Sequence, residues 1–232
     1  MKISILTLFP EMFTGPFSES IIKNAQKKNL VDINFVNIRD YGIGPHKMVD
    51  DSPYGGGIGM VMKVDVVKNA IDAVKDNTLK SPSQKVILLT ADGKTYNQRI
   101  AETYAKLEHL IIVCGHYEGI DERVRDFVDE EISIGDFVLT GGEIPSMLIT
   151  DSVVRLIDGV LKQGVTNLES FSHSDGESVL LEYPLYTKPQ NFDGLSVPEI
   201  LLSGDHKKIA EWRKNESIKK TKNRRPDLLN NS

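Results

Sequence analysis

The amino-acid sequence predicts an α/β protein: a mainly parallel sheet with flanking helices, followed by a small helical C-terminal domain. Residues 1–38 run strand, helix, strand, the opening unit of such a sheet. Apolar runs at 85–89, 110–113 and 132–134 each end in turn residues, as the strands of an α/β sheet do where they face a crevice. Beyond residue 162 the composition becomes polar and then basic, which sets a second unit apart from the first.

Taken in order, residues 2–8 form the first strand, which Phe9-Pro10 ends. Ser18 is a fair N-cap for a helix with the apolar stripe Ile21, Ile22 and Ala25, closed by Asn29. Residues 31–38 alternate apolar and polar side chains and make the second strand. From 39 to 62 the periodicity vanishes while Gly42, Gly44, Gly55, Gly56, Gly57 and Gly59 accumulate; so long a loop inside a compact domain tends to be functional. An amphipathic helix over 65–76 turns Val66, Val67, Ala70, Ile71 and Val74 inward. A polar connection then leads to the strand 85–89, which ends in Thr90-Ala91-Asp92-Gly93. A helix over 97–106 precedes the strand 110–113, and residues 144–159 read as a helix with Pro145 in its first turn, where proline is tolerated. The polar stretch 163–178 reads as a flexible linker, residues 184–194 as extended, and 197–202, 207–219 and 225–229 as short helices. The domains are therefore expected at 1–162 and 179–232, joined by the linker 163–178.

A chain of 232 residues, 40% of them hydrophobic, supports a proper core. No run approaches 18 uninterrupted apolar residues and the N-terminus lacks the pattern of a signal peptide, so no membrane partner is expected. The single cysteine, Cys114, fits a reducing cytoplasmic location and stands at the end of an apolar strand, where it reads as a small buried residue and not a nucleophile. The five histidines are scattered and none has zinc spacing, so no metal ligand set is expected. A net charge of −5 argues against nucleic-acid binding by bulk charge. Locally the balance reverses: Lys207, Lys208, Arg213, Lys214, Lys219, Lys220, Lys222, Arg224 and Arg225 face only Glu211 and Glu216, which suits a phosphate-contacting surface and equally a solvated helix face.

Residues 114–145, CGHYEGIDERVRDFVDEEISIGDFVLTGGEIP, organise the rest. Two strands enter this stretch and drop into glycine turns, with Tyr117, Glu118, Asp136 and Glu143 among the glycines. Glycine there lets main-chain N–H and C=O groups approach a ligand closely, so the window reads as a site built from backbone. No G-x-G-x-x-G follows the first strand, which sets aside an ordinary dinucleotide-binding enzyme.

CGHYEGIDERV followed by SIGDFVLTGGEIPSM resembles the signature of the bacterial tRNA (guanine-37, N1)-methyltransferases, members of the SPOUT class of knotted S-adenosylmethionine enzymes. LTLFPEMF at 6–13, DDSPYGGGIGM at 50–60, DSVVRLIDGVL at 151–161, LLEYPLYTKP at 180–189 and RRPDLL at 224–229 agree in the same order, so the resemblance spans nearly the whole chain.

The resemblance implies a C-terminal trefoil knot in the main domain, S-adenosylmethionine as methyl donor, tRNA as substrate and a homodimer with a shared active site; it also allows a magnesium ion, Mg2+. It places the donor against Leu89 and Thr90, against Gly115, Tyr117 and Glu118, and against Ile134, Gly135, Asp136, Phe137, Val138, Leu139, Gly141, Gly142 and Pro145. The target guanine falls to the glycine-rich loop, at His46, Asp50, Tyr54, Gly55 and Gly59, where a carboxylate at Asp50 complements the N1–H and N2 amino edge. Because N1 of neutral guanine carries a proton, a positioned carboxylate is the natural general base, and the resemblance assigns to Arg155 the stabilisation of the charge that develops on O6.

In the family an aspartate followed by serine and an aromatic residue precedes LLEYP by a few positions. Here Asp175 is the first candidate, by side chain and by distance from Leu180; Glu169, with Ser170 and Phe171 after it, and then Glu177 follow. Ser52, Ala91 and His116 stand where the family often has arginine, proline and arginine. Two alternatives stay open at this point: a SPOUT methyltransferase for another RNA position, and a noncatalytic RNA-binding homologue.

Overall fold

The computed structural model describes residues 1–79, 82–172, 174, 175 and 178–229, with only the backbone at 174, 175 and 178. The chain divides into two compact units, Met1–Leu161 and Lys162–Ser232.

In the first unit, strands β1 (Lys2–Thr7), β2 (Asp32–Asn37), β3 (Gln84–Thr95), β4 (His109–Cys114) and β5 (Glu130–Ser133) form one sheet in the order β2-β1-β4-β3-β5. Every pairing is parallel. The flanking helices are α1 (Ser20–Lys27), α2 (Val64–Val74), α3 (Gln98–Tyr104) and α4 (Glu143–Val154). The central strand β4 is buried at every position, since a parallel strand is covered on both faces. Its alternation sends Leu110, Ile112 and Cys114 into a core with Ile22, Ile100, Tyr104, Ile149 and Val153, and Ile111 and Val113 into another with Val66, Val67, Ala70 and Ile71. The helices therefore divide, with α1, α3 and α4 contributing to one core and α2 to the other.

Several boundaries differ from the sequence reading. Strand β3 does not end at Leu89: residues 90–93 leave the ladder, and Lys94 and Thr95 pair again with β5. The re-entry depends on Gly93, where a Cβ would lie 2.6 Å from the Glu131 carbonyl carbon and from the Ile132 nitrogen. Helix α4 starts at Glu143 and stops at Val154, several residues short of the expected 159. Within the glycine-rich loop Asp50–Asp51 pairs antiparallel with Val61–Met62, a ladder too short to leave a periodic pattern.

The second unit is organised by α5 (His206–Arg224), longer at both ends than the expected 207–219. The Asp205 side chain accepts from the Lys208 N–H and caps it. Instead of an apolar stripe, α5 buries Ser217 and Thr221. Thr221 Oγ1 accepts from the Leu181 N–H (2.9 Å), Ser217 Oγ donates to the Leu181 carbonyl, and Lys220 Nζ donates to the Glu182 carbonyl (2.8 Å). The stretch read as a linker falls in this unit and contains a 3-10 turn, Val165–Leu168, and a two-residue hairpin pairing Ser174–Asp175 with Ser178–Val179. Glu177 lies outside the described residues.

At the start of β4, buried His109 takes a fixed neutral form. Its Nδ1 lies 2.8 Å from Gln84 Oε1, which also accepts from the Asp76 N–H, so Nδ1 donates. Its Nε2 then accepts from Ser4 Oγ at 2.9 Å. Burial, aided by the charge of Lys2, lowers the imidazolium pKa from 6.5 to about 4. Between these values the unfolded chain binds a proton that the folded chain refuses. Stability should therefore fall as the pH drops from about 6.5 toward 4, by at most about 1.4 kcal/mol per unit, with no contribution above that window. Urea denaturation at several pH values in this range is expected to show a shallower loss for His109→Gln than for the wild type; parallel curves would remove His109 as the cause.

Candidate functional site

A cavity of about 350 Å³ opens beyond the carboxyl ends of β4 and β5 and beside residues 88–91 of β3, at the edge of the sheet where open α/β folds bind ligands. Of the residues expected around a donor, Leu89, Thr90, Gly115, Tyr117, Glu118, Ile134, Gly135, Phe137, Val138, Leu139, Gly141, Gly142 and Pro145 line it. Asp136 does not. The chain reverses at Gly135 (φ 143°) and the Phe137 N–H closes on the Gly135 carbonyl at 2.9 Å, so the residue between them is left out of the wall. The sequence reading missed Ile120, Asp121, Arg125, Ile132 and Ser133, which also line the cavity. Ile132 and Ser133 end an apolar run and were within reach of that reading; Arg125 comes from a 3-10 turn, Glu122–Phe127, that leaves no periodic signal.

The wall is made by main chain packed on main chain. A Cβ on Gly142 would lie 2.7 Å from Cys114 Cα and 3.0 Å from the Gly115 nitrogen, and the Gly142 N–H donates to the Gly115 carbonyl at 2.8 Å. A Cβ on Gly141 would lie 2.5 Å from Glu143 Oε2 and 2.7 Å from His116 Nδ1. The turn after β5 thus rests directly on the turn after β4. Left-handed backbone at Tyr117 (φ 60°) and Gly119 (φ 136°) bends the second of these turns around the cavity.

Buried Glu143 opens α4, where the helix N-terminus favours a carboxylate. Its Oε1 accepts from Thr7 Oγ1 at 2.7 Å, and Thr7 Oγ1 in turn accepts from the Phe9 N–H at 2.9 Å, which ties the end of β1 to the same turn. The His116 ring packs edge-on against Phe9 (4.8 Å) and Tyr117 (5.0 Å), with its buried Nδ1 unpartnered. The Cys114 thiol is pushed far above its ordinary pKa by burial and by the charge of Glu143, so it is no nucleophile.

The glycine-rich loop meets the cavity at one edge. The Glu118 N–H donates to the Met60 carbonyl, the Met62 N–H to the Gly119 carbonyl and the Asp121 N–H to the Met62 carbonyl, each at 3.0 Å. The Glu118 side chain lies over Gly59, where a Cβ would stand 2.3 Å from its Cγ. None of His46, Asp50, Tyr54, Gly55 and Gly59 lines the cavity itself. Asp50 is half-buried in the short ladder, Tyr54 is fully exposed, and His46 is exposed in a turn closed by Ile43 and Met48. Arg155 directly follows α4 in the first unit. Glu169, half-buried after the 3-10 turn, and Asp175, described by its backbone alone, belong to the second. Among the described residues no group of three or more His, Cys, Asp or Glu could hold a metal ion, and no helix is long and apolar enough to cross a membrane.

The family model described as tRNA (Guanine-1)-methyltransferase TrmD matches residues 1–231. Curated proteins named tRNA (guanine-N(1)-)-methyltransferase are similar across almost the whole chain. That of Carboxydothermus hydrogenoformans is 55% identical over 231 residues, covering 99% of this chain and 87% of its own. Those of Bacillus pumilus and Dictyoglomus turgidum are 54% and 51% identical, covering 99% of this chain and 92% and 90% of theirs.

The contact at Gly142 can be tested directly, because its φ of −80° suits any residue and only space forbids a side chain. Gly142→Ala is expected to destabilise the fold by about 1–3 kcal/mol in urea denaturation. Gly15→Ala, which meets open space, should leave the midpoint nearly unchanged. Coincident curves for the Gly142 variant and the wild type would show that the two turns are not in close contact.

Proposed function

The chain belongs to the tRNA (guanine-1)-methyltransferase family, and we infer from this that it is an enzyme that methylates N1 of guanine 37 in tRNA. Its methyl donor is S-adenosylmethionine, as membership of the family implies. The observation that carries the donor site is the backbone-walled cavity formed where β4 and β5 end and β3 leaves its ladder. Its volume falls in the range of pockets for small organic ligands, and its glycines give access to main-chain donors and acceptors, so the residues present fit the donor. When bound, the donor supplies an electrophilic methyl group on a sulfonium.

The chain's own residues do the remaining work. Leu89, Thr90 and the Gly115–Glu118 and Ile134–Leu139 segments hold the donor, with Gly141, Gly142 and Pro145 closing the wall. Asp50 reads the N1–H and N2 amino edge of the guanine, and the loop that carries it is stitched to the cavity through residues 60–62. A carboxylate takes the N1 proton as the methyl group arrives, Asp175 being the first candidate and Glu169 the second. Arg155 stabilises the negative charge on O6. The described residues offer no cluster of ligands that fits a magnesium ion.

The basic surface of the second unit serves tRNA. Arg213 stacks its guanidinium over Tyr183 at 4.8 Å, while Lys219 and Arg225 are paired with Glu216 and Asp227. The resemblance further supports a homodimer, a cytoplasmic location and a trefoil knot, and the seating of Gly141 and Gly142 on the Cys114–His116 turn is in keeping with the knot.

Incubating the protein with a tRNA transcript and labelled donor should methylate guanine 37; label at another nucleotide would point instead to a methyltransferase for a different position. Asp175→Asn is expected to lower kcat by roughly 100-fold or more with donor affinity unchanged. Near-normal turnover in that variant together with loss in Glu169→Gln would move the base to Glu169.

A further inference from the structure

Leu89 and Lys94 both register with Ile132, so residues 90–93 are an excursion from the β3 ladder, and Thr90 and Ala91 of that excursion line the cavity. Something must fix how far it stands from the neighbouring walls. The Asp92 carboxylate takes a hydrogen bond from the Thr90 hydroxyl and pairs with Arg125 Nη2 at 2.8 Å. Arg125 lines the same cavity and uses its other two nitrogens as well: Nε pairs with Glu122 at 2.9 Å and Nη1 with Glu131 of β5. One guanidinium thereby joins the excursion in β3, the 3-10 turn that follows β4, and β5.

We propose that Arg125 is a positioning residue for the methyl donor, holding the three walls of the cavity at a common spacing. Asp92 and Glu122 are exposed, and pairs with exposed carboxylates contribute only about 0–1 kcal/mol each to stability; only the pair with half-buried Glu131 is sheltered from water. The worth of the network lies in geometry. The planar fork of arginine directs each nitrogen to a different carboxylate, which the single ammonium of lysine cannot do. Without the guanidinium, three carboxylates are left close together, and their mutual repulsion drives the excursion away from β5. Hydrogen bonding from Thr90 and the pair with Arg125 hold the Asp92 carboxyl below its ordinary range, so Asp92 stays charged at neutral pH.

This inference rests on the cavity being the donor site, and the test separates the two. Calorimetry with S-adenosylhomocysteine, the thioether left after methyl transfer, reads donor-site affinity without a sulfonium charge. No binding to the wild type would overturn the donor site itself. With wild-type binding in hand, Arg125→Met is expected to raise Kd roughly tenfold and raise donor KM in step, while tRNA KM and kcat at saturating donor change less than about threefold. Arg125→Lys should restore less than half of the lost affinity on a logarithmic scale, because charge without the fork does not set the spacing. A Kd within twofold of wild type for Arg125→Met overturns the proposal, whatever happens to its melting temperature. Should that variant not fold, Asp92→Asn and Glu122→Gln, both at exposed side chains, decide instead. A two- to fourfold weakening in each supports the clamp, and unchanged affinity in both overturns it.

Discussion

The cavity depends on one contact that has no room for a side chain, Gly142 seated against Cys114 and Gly115. Two turns that leave different strands can share one wall only if their backbones touch, and backbones touch only where a Cβ is missing. The hydrogen bond from Gly142 to the Gly115 carbonyl fixes the distance, and Gly141 brings the same turn onto His116 and Glu143. What results is a cavity whose shape is set by main chain, and main chain is the least variable part of a fold.

The sheet beneath supplies the rigidity this arrangement needs. Strand β4 lies between β1 and β3 and is buried throughout, so the turn that leaves it starts from a fixed point. Polar pins then secure what the apolar core cannot reach. Glu143 binds the Thr7 hydroxyl at the end of β1, and the three backbone bonds between residues 60–62 and 118–121 bring the glycine-rich loop to the edge of the cavity. Each pin satisfies groups that would be costly to bury unpaired, and each joins segments distant in sequence.

The lining of the cavity belongs entirely to the first unit, whereas Asp175 and Glu169, the proposed bases, belong to the second. The second unit is itself held by side-chain hydrogen bonds from Ser217, Lys220 and Thr221 to the extended segment at Leu181 and Glu182, and it exposes most of its cations. A polar, cationic element of this kind suits an RNA backbone, whose affinity comes from phosphate neutralisation.

By itself the sequence determined the α/β class and the strands that end in glycine turns, because period-two burial and glycine clustering are local signals that survive without coordinates, and the family motifs pointed to about half of the residues that line the cavity. It also carried the family, through motifs in order along nearly the whole chain. Only the tertiary structure decided that Asp136 leaves the wall while Arg125 joins it, that β3 departs from its ladder at 90–93 and returns, and that the polar face of α5 holds the segment at Leu181. These outcomes turn on where a side chain points after a reversal, on register between strands far apart in sequence, and on hydrogen bonds that span tens of residues. None of them leaves a period in the chain, so none can be read before it folds.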